Sequence, residues 1–225
     1  MGVLIADTGH ELVLGNVQHA GSFGFPVLYH VVRGLSPDAL MRGDPSLTNP
    51  IRDGALALQA LGVSAVVGAC GSFANYQMEV AAALDIPLFL SILLEVPLLL
   101  RALAPSRKLG IVFARTSSFT DRIRENCGIV EHNRLVALGM DASPAFLPVL
   151  RAAGSIDSTA LRHATLDVVR SGLRAEPRIG AWLLQCSDLP PYAAAIREAT
   201  GLAVFDMIGM IRRIHEAIAT AGFTE

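Results

Sequence analysis

Two stretches of this chain are written twice, and that repetition limits what it can fold into. Gly2-Val-Leu-Ile-Ala-Asp-Thr8 matches Gly110-Ile-Val-Phe-Ala-Arg-Thr116. Farther on, Val66-Val-Gly-Ala-Cys70-Gly-Ser-Phe-Ala-Asn-Tyr76 matches Trp182-Leu-Leu-Gln-Cys186-Ser-Asp-Leu-Pro-Pro-Tyr192. In both copies a tyrosine follows the cysteine by six residues, and a phenylalanine (Phe89, Phe205) follows it by nineteen. The first pair is offset by 108 residues and the second by 116, so a net insertion of eight separates them. A repeat this long is not a solenoid unit. It predicts two similar lobes.

The repeated units alternate short apolar runs with segments of helical period. Strands are expected near Gly2–Ala6, Val27–Val32, Ala65–Ala69 and Leu88–Ser91, then near Leu109–Ala114, Arg134–Gly139, Ala181–Gln185 and Ala203–Phe205. Helices are expected at Asn49–Leu61, Phe73–Leu84, Val96–Leu103, Phe119–Cys127, Ser158–Ser171, Pro190–Thr200 and Met207–Ala221. This rhythm predicts an α/β fold with parallel sheets, because a strand buried on both faces is a continuous apolar run. With 52% apolar and 17% charged residues, the chain can bury a large core.

A formal net charge of −2, with no basic arm, argues against nucleic acid as a partner. The longest apolar stretch, Ile86 to Leu100, is broken by Glu95 and Pro97, so no membrane association is expected. No signal-peptide pattern opens the chain, and a cytoplasmic location is expected. Three cysteines without CxxC or Cys/His ligand spacing suggest neither disulfides nor a zinc site.

Cys70 and Cys186 each fall where a strand gives way to a predicted helix. In open parallel sheets, ligands bind beyond the carboxyl ends of the strands. A helix amino terminus there would favour a thiolate and hold a substrate carboxylate. Ser72, Ser187 and Asp188 are candidate caps, and Pro190 and Pro191 suit a first helical turn. Two lobes related by a pseudo-two-fold would bring both thiols to one interlobe cleft, as an acid/base pair for proton transfer at carbon. Cys127, without a repeat partner, is expected to be structural. The six histidines show no metal spacing and are expected in surface or satisfied core roles, with His10 and His19, in the loop after the first strand, within reach of the cleft. The loop Gly15–Phe25 is a candidate lid.

These residues resemble the aspartate/glutamate racemase superfamily, whose members need no pyridoxal phosphate. The resemblance covers nearly the whole chain and rests on Asp7-Thr8, Cys70-Gly71-Ser72, Thr116-Ser117 and Cys186-Ser187. It implies two flavodoxin-like lobes with the site between them, spanning 1–105 plus 206–225 and 106–205, with the last helix packed on the first lobe. It implies Cys70 and Cys186 as bases and no cofactor. It also implies Asp7, Thr8, Gly71, Ser72, Thr116, Ser117 and Ser187 as substrate-binding or supporting groups. Glutamate racemases carry Cys-Thr-His at the second site, whereas this chain has Cys186-Ser187-Asp188, which puts glutamate in doubt. A second carboxylate would need a cation, for which Arg42, Arg52 and Arg115 are candidates. The expected function is a racemase or epimerase of an amino acid or related small carboxylate, with a homo-oligomer as the candidate assembly. The alternatives are a malonate-type decarboxylase or cis–trans isomerase, or a relative that binds its ligand without turnover.

Overall fold

The structure, a computed structural model, describes residues 1–219. The expected helix end at Ala221, and residues 220–225 of the expected first lobe, lie outside the described residues. The first half runs β1 (Gly2–Ala6), β2 (Gly9–His10), β3 (Leu28–Val32), α1 (Pro37–Arg42), α2 (Thr48–Ala60), β4 (Val66–Gly68), α3 (Gln77–Ala81), β5 (Leu88–Phe89) and α4 (Val96–Ala102). The second runs β6 (Lys108–Phe113), α5 (Asp121–Asn126), β7 (Leu135–Gly139), α6 (Leu147–Arg151), β8 (Ala153–Gly154), α7 (Ser158–Ala175), β9 (Ile179–Leu184), α8 (Ala193–Thr200), β10 (Ala203–Asp206) and α9 (Met207–Ile218).

Two four-stranded parallel sheets form, ordered β3-β1-β4-β5 and β10-β9-β6-β7. The second order, reversed, is the first with β6, β7, β9 and β10 in place of β1, β3, β4 and β5. The strands matched in sequence therefore hold the same place in each sheet. Main-chain pairing repeats as well. Ala69 N–H donates to Leu4 O at 2.9 Å, and Gln185 N–H donates to Val112 O at 3.0 Å. Each central strand thus grips the residue just before a cysteine.

Side chains alternate across the strands, as pleating requires. Val3 and Val67, with Leu109, Ile111 and Leu183 of the other sheet, enter one central core with α4 and α9. Leu4 and Val66 face α2 on the first sheet's outer side, where Ile51, Ala55 and Leu58 form its buried stripe. Val112, Trp182 and Leu184 face α7 and α8 on the second. The central core joins the sheets with their carboxyl ends toward one cleft.

The helices directly after the cysteines depart from expectation. Cys70 leads into a 3-10 segment, Gly71–Tyr76, and α3 begins only at Gln77. After Cys186, a 3-10 turn at Pro190–Tyr192 precedes α8. Neither the Ser72 nor the Ser187 side chain caps a helix. The helix-terminus argument for easily ionised thiols therefore fails, since no α-helix starts at either sulfur. The short helices α1 and α6 and the ribbon β2·β8 were not expected. In the candidate lid, Asn16, Val17, Ser22 and Phe23 are buried, while Ala20, Gly21 and Gly24 are exposed. No described helix is long and apolar enough to cross a membrane.

Candidate active site

A cavity of about 60 Å³ opens where the two sheets' carboxyl ends meet. The first half contributes Ala6, Thr8, Cys70 and Ser72, and the second contributes Ala114, Gln185, Cys186, Ser187 and Asp188. Apolar walls come from α1, through Pro37, Leu40 and Met41, and from α6, through Val149 and Leu150. Helix α1 is a local product of its sequence. Ser36 caps it, Pro37 takes its first turn, and Gly43 ends it in the left-handed conformation at φ 69°.

His10 reaches the cavity because β2 pairs with β8. The His10–Gly154 register, with Gly9 N–H donating to Ala152 O at 2.8 Å, ties the loop after β1 to the loop after α6. The imidazole Nε2 lies 2.9 Å from Asp188 Oδ1, and Asn16 Nδ2 donates to the same oxygen at 2.7 Å. Asp188 Oδ2 accepts from Cys186 Sγ at 3.6 Å. His10 and Asp188 are both more than nine-tenths buried, so the carboxylate exchanges water for three protein donors.

Both thiols are poor acids. Burial pushes Cys70 above its ordinary value and the Asp188 charge adds to this, while the Ser72 N–H and hydroxyl oppose it. Burial pushes Cys186 well above that value, and Asp188 raises it further through its charge and by accepting the thiol proton. Cys127 lies in the central core, pushed up to about 12 by burial.

Of the expected site residues, Cys70, Cys186, Thr8, Ser72 and Ser187 line the cavity, and Gly71 packs beside it against Gln185. Asp7, Thr116 and Ser117 are outside its lining. Thr116 and Ser117 are exposed in the turn after β6, where Arg115 pairs with Asp38 at 2.9 Å. Arg52 pairs with Asp53, Arg42 sits in the last turn of α1, and neither lines the cavity. No arginine or lysine is among the lining residues. Gln185, Asn16 and the role of Asp188 were missed. The one available signal was the Cys-Ser-Asp departure from the racemase pattern.

Two parallel sheets meeting at a two-thiol cavity define a class, and the chain has the fold of the aspartate/glutamate racemase superfamily. Glutamate racemase from Campylobacter jejuni superposes with a TM-score of 0.61 at 12% identity, over all of this chain and 88% of its own. Arylmalonate decarboxylase does so at 0.56 and 17% identity, over 98% and 94%. In sequence, the chain is 32% identical over 218 residues to dimethylsulfoniopropionate lyase 7 of Emiliania huxleyi (strain CCMP1516). That match takes in 92% of this chain and spans 64% of the length of the lyase. No family model matches the chain. The expectation of a racemase or epimerase, and with it an isomerase, is corrected by this likeness. At this level of identity the relative is named a lyase, and the racemases share only the fold.

Proposed function

We propose that the chain is a lyase acting on a small carboxylate that carries a cationic leaving group at its β-carbon, as dimethylsulfoniopropionate does. The observation that carries this is the charge of the cavity. Two protonated thiols and the Asp188 carboxylate, hydrogen-bonded to His10, line it, with no arginine or lysine. A dicarboxylate would meet Asp188 without a cation to offset it, whereas a sulfonium group is matched. In a water-poor cavity such charge matching counts for more than in bulk water.

The reaction needs one base and a leaving group. A cysteine thiolate takes the α-hydrogen as a proton. The C–H electron pair becomes the new C=C bond, and the C–S pair departs with sulfur as neutral dimethyl sulfide. Acrylate remains, and the thiol returns its proton to solvent. A sulfonium substrate also favours the thiolate that must attack it, lowering the cost set by burial and Asp188. Dimethyl sulfide leaves without needing a proton, so the elimination does not require two matched bases.

Headspace gas chromatography on protein incubated with dimethylsulfoniopropionate tests the reading. Dimethyl sulfide and acrylate should appear in equal amounts. No dimethyl sulfide, with carbon dioxide released from a malonate instead, would replace it with the decarboxylase alternative.

A further inference from the structure

Among the described residues, three buried side-chain nitrogens have no hydrogen-bond partner: His10 Nδ1, Trp182 Nε1 and Gln185 Nε2. Trp182 belongs to the second sheet's outer core. The other two line the cavity, on side chains of residues 6% and 2% exposed. Buried polar groups are nearly always paired, and leaving one unpaired is costly. Two at one small cavity point to a ligand that completes them.

Their placement is enforced. Asp188 holds His10 through Nε2 at 2.9 Å, which directs Nδ1 away from that carboxylate. The Gln185 main chain is held by Val112 O, and its amide lies over the bare α-carbon of Gly71. A Cβ on Gly71 would fall 2.3 Å from Gln185 Nε2 and 2.5 Å from its backbone oxygen. Glycine at position 71 is thus required by close approach, and it leaves the amide the space beside Cys70. An amide nitrogen brings two donors and no acceptor. Its natural complement is an anionic oxygen.

We propose that Gln185 binds the substrate carboxylate, and that Gly71 makes room for the Gln185 amide. The lyase reading supplies the rest of the substrate, but the carboxylate contact does not depend on it. During proton removal, charge builds on the carboxylate oxygens, so a fixed donor there stabilises the transition state more than the ground state.

The test is calorimetric titration of propionate and propionamide into wild type, Gln185→Leu and Gln185→Glu, with unfolding midpoints to establish that each variant is folded. Wild type should bind propionate. Gln185→Leu should weaken it about tenfold or more, as expected for losing a hydrogen bond to a charged group. Gln185→Glu, which sets an anion against an anion, should abolish it while affecting propionamide far less. If Gln185→Leu does not fold, the isosteric Gln185→Glu carries the test, and unchanged propionate affinity there overturns the proposal. Unchanged propionate affinity in the folded variants, or no saturable binding by wild type, would overturn the proposal. If dimethylsulfoniopropionate is not cleaved but propionate binding still depends on Gln185, the lyase reading falls and the carboxylate contact stands. If it is cleaved with an unchanged KM in Gln185→Leu, the lyase reading stands and the carboxylate contact falls.

Discussion

The turns after β4 and β9 share a backbone plan and differ in polarity. Each follows a short buried strand, and each is gripped by a hydrogen bond from the residue before its cysteine to the neighbouring central strand. Each ends near a buried tyrosine: Tyr76 donates to Asp44 O at 2.9 Å, and the Tyr192 hydroxyl lies 3.2 Å from Ser158 Oγ. Two residues after the sulfur, the turns diverge. The backbone N–H supports the sulfur anion in both turns, but the Ser72 hydroxyl adds to that support at Cys70, whereas the Asp188 carboxylate opposes the Cys186 anion and accepts its proton. One residue before the sulfur, Ala69 is matched by Gln185. A duplicated frame has thus acquired two unlike poles. This suits a one-way elimination, whereas racemisation asks two thiols to exchange roles.

Removing either thiol is the strongest way to break the comparison. The elimination needs one base, so at least one of Cys70→Ala and Cys186→Ala should lower dimethyl sulfide release by about 10²–10⁴-fold, the range for losing a positioned acid or base. A variant that keeps activity within tenfold would show that one pole suffices.

The next effect is on stability, and it should be lopsided. Asp188→Ala strips His10 and Asn16 of their shared acceptor inside the protein, at a cost of about 1–3 kcal/mol for each donor left unpaired. Ser72→Ala, at the matching position, should cost about 1 kcal/mol. Denaturant unfolding measures both, and equal losses would deny the asymmetry.

Thiol reactivity sharpens the same contrast. The thiolate is the reactive form, and both cavity thiols are held protonated, so alkylation should climb steeply from about pH 7 to 10. Cys70, the more exposed and less strongly raised, should react before Cys186. Asp188→Asn removes the charge and should draw the Cys186 rise to lower pH. Mass spectrometry of alkylated protein resolves each cysteine, and an unshifted Cys186 profile would count against Asp188.

Cys127 should show the smallest effect. Its folded pKa is raised to about 12, so the unfolded chain ionises first as pH climbs. Its contribution to stability is complete below the ordinary thiol range and disappears as pH rises through about 12. Cys127→Ala should cost about 1 kcal/mol near neutrality, flatten the alkaline loss of stability and leave dimethyl sulfide release unchanged.

The racemase-like fold was legible because its evidence is local and repeated. Apolar runs such as Trp182-Leu183-Leu184 mark strands buried on both faces, and the matched Cys-to-Tyr and Cys-to-Phe spacings placed β4 with β9 and β5 with β10. The pair of cysteines was legible for the same reason. Short elements were not, because the six residues of α1 and the two-residue strands β2 and β8 are too brief for a period to emerge. The poles were hidden too. Asp188 looked like a helix cap, but no helix begins there, and His10 meets it across 178 positions of sequence only because β2 pairs with β8. Gln185 looked like the last residue of a strand, and its amide matters because Gly71, from the other half, leaves room for it. By itself the sequence determined the duplicated α/β frame and the two sulfurs, since strand burial and repeat spacing are written along the chain. Tertiary structure alone decided the polarity of the cavity, because desolvation and charge at a thiol depend on groups that only folding brings beside it.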